Sequence, residues 1–414
     1  MPNWPFRFVH AADFHLEMPP FGITEVPKHL RELFLESAYL AAERVFETTI
    51  AEEADFLVLA GDILRCRHTG PRGPLFLVEQ FERLAARGIS VYWASGRVDP
   101  HDAWPPSIRL PENVHLFPQG RPEEFVHRRD GTPMVRLIGA GRARKGRIRA
   151  ADFDPQEPGL FAIAVTHGRA EPAAFETARV DYWALGGRHQ QGTLSHSNPV
   201  GHYAGSPQGR QPEETGAHGC TLVQVDDRSH IIQTQIPSDV LRWRSQEVEV
   251  DDTTTPDQLD AMLQERTRRL IEATPGTDQL ISWTVTGSGP LLTRLRSGPA
   301  AGQYLAKIRK LFGGATPATW SVSLAAKMTG RPPRQWYEAS TIRGDFLQTI
   351  EHLKKDPDEA LGLECFVPEA ADDDAFGGDV LSVAIVGSGS RRRNVLHDAA
   401  LLGVDLLTGE EAGS

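Results

Sequence analysis

Hydrophobic and polar positions between residues 6 and 227 follow two alternating patterns. Short apolar runs rich in Val, Ile and Phe predict strands at FRFVHAADF, DFLVLAGDI, ISVYWASG, MVRLIGAG, FAIAVTHG, YWALGGRH and GCTLVQVD. Residues 27–54 place apolar side chains three and four positions apart, which predicts an amphipathic helix. PLFLVEQFERLAARG predicts a second helix that ends at its glycine. Strands that alternate with helices predict a layered α/β domain.

The pattern changes near residue 245, after further alternating strands at 229–243. Residues 246–287 predict a strand, a Thr-capped helix and a strand, and RGDFLQTIEHLKKD predicts another helix. Residues 351–380 carry ten acidic and two basic side chains, a composition typical of a solvated linker. We therefore expect a main domain at 1–245, a small α/β domain at 246–350, and an acidic linker with a C-terminal segment at 351–414.

Composition narrows the class of protein. The 414 residues are 40% hydrophobic and 24% charged, which excludes a disordered or fibrous chain. The net charge of −11 excludes a polybasic binder, so any contact with nucleic acid must come from local basic patches. Cys66, Cys220 and Cys365 form neither a CxxC pair nor a disulfide framework. Since no signal-peptide pattern or membrane-length apolar run is present, we expect a cytoplasmic protein with no membrane partner.

Acidic and histidine side chains follow the predicted strands at the ends where α/β sheets bind ligands. Asp13 and His15 end the first strand two residues apart, so their side chains leave the same face. Asp62, His167 and His189 end three later strands. Asp and Gly are also ordinary turn residues, so each motif alone is weak evidence. Their repetition along successive strands indicates a site for Mn, Fe or Zn, which accept carboxylate and imidazole together.

These segments resemble the calcineurin-like metallophosphoesterase superfamily, and within it the SbcD-type DNA repair exonucleases of the bacterial YhaO group. The resemblance covers about residues 6–245 and rests on HAADFHLE, LVLAGDIL, SGRVDPHDAWPPSIRLPENVHLFP, THG, DYWALGGRH and YAGSPQGRQPEETGAHGCTLVQVD. RGDFL at 343–347 is similar to the group's C-terminal half. The resemblance implies a four-layer α/β sandwich, two packed sheets flanked by helices, with a small α/β capping domain. It also implies two metals that are bridged by one Asp and act on a phosphodiester.

Carried over residue by residue, the resemblance implies one complete ligand set and one incomplete set. The first metal's set is Asp13, His15, the bridging Asp62 and His189, and the second metal keeps only Asp62 and His167. The family's GNHD motif reads Gly96, Arg97, Val98 and Asp99, and its GHxH motif reads Gly186, Gly187, Arg188 and His189. Val98 thus replaces the histidine that protonates the leaving group, which an aliphatic side chain cannot do.

Arginines near these positions are candidates for compensating charge. The Arg97 guanidinium can occupy the space of the second metal and pair with Asp62, or it can point to solvent. Arg188 is a candidate for phosphate contact or a solvated rim residue. The basic run GRARKGRIR fits DNA-backbone contact and a solvated loop equally well. Its basic residues are Arg142, Arg144, Lys145, Arg147 and Arg149.

Two functions of different classes fit the sequence. The first, which we favour, is a catalytically impaired nuclease-family subunit, a pseudo-nuclease that binds DNA ends or duplex backbone as a scaffold for an SbcC-like or YhaN-like coiled-coil ATPase. The second is an active metal-dependent DNA exonuclease or phosphodiesterase that uses one metal assisted by Arg97. We expect one divalent transition metal, Mn²⁺ by preference, or none. A homodimer stays open, because the sequence does not identify the helix faces that would pair.

Overall fold

The computed structural model describes residues 4–23, 25–65, 70–142, 148–155, 157, 159–170, 179–195, 199–296, 299–329, 332, 334–356, 361 and 390–411. Three residues of the predicted basic run, Arg144, Lys145 and Arg147, and most of the acidic linker lie outside this set. The chain forms two compact units. Unit 1 is Met1–Ser245, Thr274–Ile281 and Gly314–Val322, and unit 2 is Gln246–Ala273, Ser282–Gly313 and Ser323–Ser414.

Unit 1 contains two six-stranded sheets. Its strands are β1 (Phe6–Ala11), β2 (Phe56–Leu59), β3 (Ser90–Ala94), β4 (Val114–Phe117), β5 (Glu123–Arg129), β6 (Thr132–Gly139), β7 (Phe161–His167), β8 (Tyr182–Gly186), β9 (Gly192–Ser195), β10 (Val200–Tyr203), β11 (Gly219–Val225) and β12 (Ile231–Pro237). Its α-helices are α1 (Arg31–Ala51) and α2 (Arg72–Ala85). The strand orders are β12-β11-β1-β2-β3-β4 and β5-β6-β7-β8-β10-β9.

The centre of each sheet is parallel. The first sheet is antiparallel only on its β11–β12 side, and the second is antiparallel at both edges. β1, β2, β3 and β4 pair in parallel, and β11 pairs antiparallel with β1. In the second sheet, β6, β7, β8 and β10 pair in parallel, with β5 and β9 antiparallel at its edges. The carboxyl ends of the central strands therefore meet at one edge of each sheet, where ligands bind in this class of fold.

The two sheets pack face to face on an apolar core. Phe8 and Phe56 of the first sheet share a buried cluster with Ile163 and Tyr182 of the second. Burial of each such side chain stabilises the fold by about 1.5–3 kcal/mol. On the outer face of the first sheet, α1 and α2 pack through a second cluster that includes Phe46. The 3-10 helix Ala150–Phe153 packs on the other face of the second sheet. The predicted α/β class, with two sheets flanked by helices, is confirmed.

A third sheet has the order β13 (Leu241–Val250), β14 (Asp278–Gly287), β15 (Thr319–Met328). The helices of unit 2 are α3 (Pro256–Ala273), α4 (Pro290–Arg296), α5 (Ala300–Phe312), α6 (Arg334–Tyr337), α7 (Ile342–Lys355) and α8 (Ser390–Glu411). Thr341 caps α7 by accepting the Gly344 N–H at 3.2 Å. α8 packs on α7, and Arg392 Nη2 donates to Leu353 O at 3.1 Å. Among the described residues, no helix has the length and apolar composition needed to cross a bilayer.

Candidate metal centre

Five acidic and histidine side chains of unit 1 stand at the carboxyl ends of parallel strands. Asp13 and His15 follow β1, and Asp62 follows β2. His167 is the last residue of β7, and His189 comes shortly after β8. The packing of the two sheets brings all five side chains into one centre, where their ligand atoms approach one another.

The backbone of the centre is held in an uncommon conformation. Asp13, His15 and Asp62 have φ angles of 54°, 48° and 53°, in the left-handed region that residues other than glycine seldom adopt. His15 N–H donates to Asp62 O at 2.9 Å, and Asp13 N–H donates to Gly61 O at 2.9 Å. These hydrogen bonds join the loops after β1 and β2, so the strained conformation is maintained by the fold and orients the side chains.

The candidate ligand atoms form two groups that share Asp13. Atoms of Asp13, His15 and His189 lie within 4.8 Å of one another, and so do atoms of Asp13, Asp62 and His167. Asp62 Oδ2 is 4.0 Å from His15 Nε2, so it also lies near the first group. The family resemblance implies Asp62 as the bridging carboxylate, whereas in the structure Asp13 is the carboxylate common to both groups.

The first group fits a divalent transition metal. His15 Nε2 and His189 Nε2 face each other at 3.0 Å. Two nitrogens that bind one ion at about 2.1 Å and at right angles lie about 3 Å apart. His189 Nδ1 pairs with Glu214 Oε1 at 2.7 Å, and such an outer carboxylate commonly fixes the orientation of a metal-binding imidazole. With the proton on Nδ1, His189 would keep the Nε2 lone pair available for a metal ion.

Electrostatics of the first group favour neutral imidazole on His15. Burial and the charge of Arg210 lower the pKa of His15 to about 4, although Asp13 and Asp62 oppose this. His15 is therefore unprotonated at neutral pH and able to bind a metal. The hydrogen bond to Glu214 raises the pKa of His189, and burial opposes it.

In the second group, the histidine forms ion pairs with both carboxylates. His167 Nε2 lies 3.3 Å from Asp13 Oδ1 and 3.4 Å from Asp62 Oδ2. Burial alone would lower the pKa of His167, but the hydrogen bonds and charges of the two carboxylates raise it to about 10. Burial would likewise raise the pKa of Asp62, but His167 holds it well below its usual range. His167 thus supplies positive charge between the two carboxylates.

The loop after β3 contacts Asp62 through its main chain. Arg97 N–H and Val98 N–H both donate to Asp62 Oδ1, the latter at 2.9 Å, while the Arg97 side chain is exposed. The predicted ion pair between the Arg97 guanidinium and Asp62 does not occur among the described residues. Gly96 approaches Asp62 so closely that an added Cβ would lie 2.3 Å from Asp62 Oδ1. The loop meets the carboxylate with its backbone, and the next side chain turns outward.

Gly187 also acts through its main chain. Its N–H donates to Asp13 Oδ2 at 2.8 Å, and its φ is 102°. A Cβ at this position would lie 3.2 Å from His167 Cε1. A histidine here, as the family resemblance expects, would require a strained backbone and a shift of His167.

The other predicted arginines lie around the centre. Arg188 is exposed, and its Cζ lies 5.1 Å from the Tyr203 ring centroid, while its phosphate contact stays a prediction. Arg142 and Arg149 line a groove of about 1350 Å³, together with Arg97 and Arg121. Gly96 and Thr166 belong to the same wall, so the groove reaches the residues that flank Asp62 and His167.

Sequence reasoning assigned no role to three buried residues that support the centre. Glu214 orients His189, and Arg210 N–H donates to Glu214 Oε2 at 2.8 Å. Asp99 accepts the N–H groups of Asp62 and Ile63 at 3.0 and 3.1 Å, which fixes the loop that carries the ligand. All three lie in segments that carry the family resemblance. Their distance from the strand ends hid their role, because only the folded loops bring them to the centre.

Known proteins are similar to this chain in sequence and in structure. It is 30% identical over 298 residues to the uncharacterized metallophosphoesterase YhaO of Bacillus subtilis (strain 168), and the match covers 68% of this chain and 72% of that protein. Among solved structures, a dimetal phosphatase from Danio rerio matches with 13% identity and a TM-score of 0.34, over 57% of this chain and 99% of its own. No family model matches the chain.

Proposed function

The chain belongs to the metallophosphoesterase family, and from that premise we propose that it is a DNA-end-binding subunit of the SbcD type with weak or absent hydrolytic activity. The asymmetry of the two ligand groups carries this proposal. His15 and His189 face each other, and Glu214 is hydrogen-bonded to His189; we call these three residues the ordered half-site, because they suit one of the two metals. Exposed Arg97, aliphatic Val98 and Gly187 stand where the family resemblance expects further ligands and a general acid.

The residues present support binding of a phosphodiester better than its cleavage. When bound, a divalent metal, with Mn²⁺ as our proposal, supplies Lewis acidity toward a phosphoryl oxygen and lowers the pKa of water. Asp13, His15 and His189 would hold it, and Glu214 would keep His189 oriented. Val98 cannot donate a proton to the leaving oxygen, and a general acid typically contributes about 10²–10⁴-fold to the rate. We therefore expect binding with little turnover.

DNA-backbone binding is supported by the arginine groove. Arg97, Arg121, Arg142 and Arg149 line it, in a protein whose net charge is −11. Guanidinium groups pair with phosphate oxygens independently of base sequence. Because the groove wall includes the neighbours of Asp62 and His167, a strand that follows it would bring a phosphate to the centre.

We propose an SbcC-like or YhaN-like coiled-coil ATPase as the partner. Leu402 and Leu406 of α8 are 61% and 66% exposed, and their spacing places them one above the other on the helix. A helical partner would cover these leucines with its own apolar positions. A second copy of the chain would be the alternative occupant, and a pull-down with the ATPase beside a mass measurement of the free protein would distinguish the two.

The test combines metal stoichiometry, DNA binding and hydrolysis. We expect about one tightly bound Mn²⁺ per chain, binding of linear duplex in a mobility-shift assay, and hydrolysis of duplex and of bis-p-nitrophenyl phosphate at the level of Asp62→Asn. Two tightly held transition-metal ions per chain, with hydrolysis that Asp62→Asn abolishes, would refute the proposal.

A working phosphodiesterase with one metal is the second candidate, and the ordered His15–His189–Glu214 half-site favours it. One Mn²⁺ per chain together with hydrolysis that is lost in Asp62→Asn would select this candidate over the first. The Arg97 side chain is exposed and lines the groove beside the centre, and its assistance to a single metal stays a prediction.

A further inference from the structure

We propose that Arg210 is the phosphate-binding residue of this centre, with its guanidinium donating to non-bridging oxygens of a phosphoryl group held beside His15 and His189. The inference rests on the proposed phosphodiester binding and deepens it, because it names the side chain that recognises the oxyanion. Neither the strand-end pattern nor the metal-ligand groups assign a role to this residue.

Arg210 is a buried cation whose guanidinium lacks a hydrogen-bonded anion. The residue is 5% exposed, and its buried Nε has no hydrogen-bond partner. No hydrogen bond or ion pair of its guanidinium occurs among the described residues. Its Cζ lies 5.7 Å from the Phe21 ring centroid. A buried charge is costly unless it is paired, so this arrangement points to an anionic ligand that completes the pair.

The carboxylates around Arg210 are engaged elsewhere. Glu214 accepts the Arg210 main-chain N–H through Oε2 at 2.8 Å and pairs with His189 through Oε1 at 2.7 Å. Asp13 accepts Gly187 N–H through Oδ2 at 2.8 Å and faces His167 through Oδ1 at 3.3 Å. Burial lowers the pKa of Arg210, and the charges of Glu214, Asp13 and Asp62 offset this only in part. The guanidinium thus lies in the field of the centre but is left with free donors.

The loop that carries Arg210 is fixed against the metal ligands. Ser206 N–H donates to His189 O at 2.9 Å, and Phe21 N–H donates to Arg210 O at 2.8 Å. Trp243 Nε1 donates to Gly209 O at 3.0 Å. The backbone is therefore anchored on both sides of Arg210. The charge of the Arg210 guanidinium is close enough to lower the pKa of both His15 and His189. Such anchoring is what a binding site needs to hold a donor in place before the ligand arrives.

A phosphoryl group is the anion that fits this position. A metal ion on Asp13, His15 and His189 would add two positive charges near the charge of Arg210, and an anion that contacts both would reduce their repulsion. Phosphoryl oxygens accept from a planar guanidinium and contact a metal at the same time. Arg97 and Arg188 are exposed, so water screens their charges more than that of Arg210.

The test measures binding of inorganic phosphate and of Mn²⁺ to the full chain by titration calorimetry. Arg210→Met removes the charge and keeps an unbranched apolar stem. We expect the Mn²⁺-loaded variant to bind phosphate about ten- to a hundredfold more weakly than the parent. We expect its Mn²⁺ affinity to rise, because a neighbouring positive charge is gone. Arg210→Lys, which keeps the charge without the planar fork, should lie between the two for phosphate.

Arg136→Met is the matched control. Arg136 is also 5% exposed, but its Nη1 lies 3.1 Å from Glu124 Oε1. This variant should melt at a lower temperature, because it leaves a carboxylate unpaired, and should bind phosphate like the parent. Equal phosphate affinity in Arg210→Met and the parent, or parallel loss of Mn²⁺ and phosphate binding, would overturn the assignment of Arg210 alone. A Mn²⁺-loaded parent that binds neither phosphate nor duplex DNA would overturn the proposed function as well.

Discussion

The protonation and orientation of three candidate ligands, Asp13, His15 and His189, depend on neighbours outside the two candidate ligand groups. Glu214 fixes which nitrogen of His189 carries the proton, and the main-chain N–H of Gly187 fixes one oxygen of Asp13. Burial and Arg210 together keep His15 neutral. The residues that a strand-end pattern identifies are therefore necessary for the centre, but their protonation and orientation come from residues that the pattern does not include.

Replacement of Glu214 tests this dependence. Glu214→Ala should weaken Mn²⁺ binding about ten- to a hundredfold, since His189 would lose the carboxylate that orients it. The adjacent Glu213 is exposed, so Glu213→Ala removes the same charge one position away and should leave Mn²⁺ affinity unchanged. Calorimetric titration of both variants measures the difference. Equal affinities in the two variants would show that His189 is oriented by the backbone alone.

Loops that follow the strands of the first sheet decide how the carboxylates are presented. The loop after β3 approaches the loop after β2 so closely that Gly96 has no room for a side chain. This approach lets two main-chain N–H groups reach Asp62 Oδ1, and Asp99 holds the loop by accepting the N–H of Gly96 at 2.6 Å. The loop after β3, more than any one side chain, thus fixes the position of the Asp62 carboxylate in the centre.

A methyl group at Gly96 should separate the two loops. In Gly96→Ala, the Cβ would lie 2.3 Å from both the main-chain N and Oδ1 of Asp62, so the carboxylate must move. We expect at least a tenfold loss of Mn²⁺ affinity and a destabilisation of about 1–3 kcal/mol, measured by calorimetry and thermal unfolding. Gly70→Ala is the control, because nothing lies within 4 Å of its added Cβ. Parent-like metal binding in Gly96→Ala would rule out close approach as the cause.

Charge is distributed unevenly over the whole molecule. The chain has 55 acidic and 44 basic residues, excluding histidine, yet among the described residues four arginines line one groove beside the centre. The overall charge repels a polyanion at long range, while the groove attracts it locally. Binding of DNA to such a surface should depend strongly on salt.

The salt dependence of duplex binding measures the number of phosphate contacts in the groove. Each of Arg121, Arg142 and Arg149, when changed to Ala, should lower the slope of log affinity against log salt by about one, and the triple variant by about three. Arg128→Ala is the control, since Arg128 is an exposed arginine of β5 outside the groove. A triple variant with the slope of the parent would mean that DNA binds elsewhere.

The sequence alone predicted most strands of unit 1 and the candidate ligand residues. Each of the seven strands predicted between residues 6 and 227 corresponds to a strand of unit 1, because buried strands carry dense local apolar runs. The sequence also predicted which candidate ligands follow strands, because that placement depends only on neighbouring residues. These candidates are Asp13, His15, Asp62, His167 and His189. The four-residue strands β4, β9 and β10 and the seven-residue strand β5 escaped prediction. Several of them are only partly buried, so their apolar pattern is weak.

Tertiary structure decided what these residues do together. Loops that are distant in sequence decide three features of the centre. They expose the Arg97 side chain, place Asp13 in both candidate ligand groups, and bring Glu214 and Arg210 to the centre. At Gly96 the path of the backbone leaves no room for a Cβ beside Asp62, and main-chain N–H groups of the next two residues reach the carboxylate instead. Hydrogen bonds and burial act through space, so a pattern along the chain can identify the charges of the centre without indicating which of them meet.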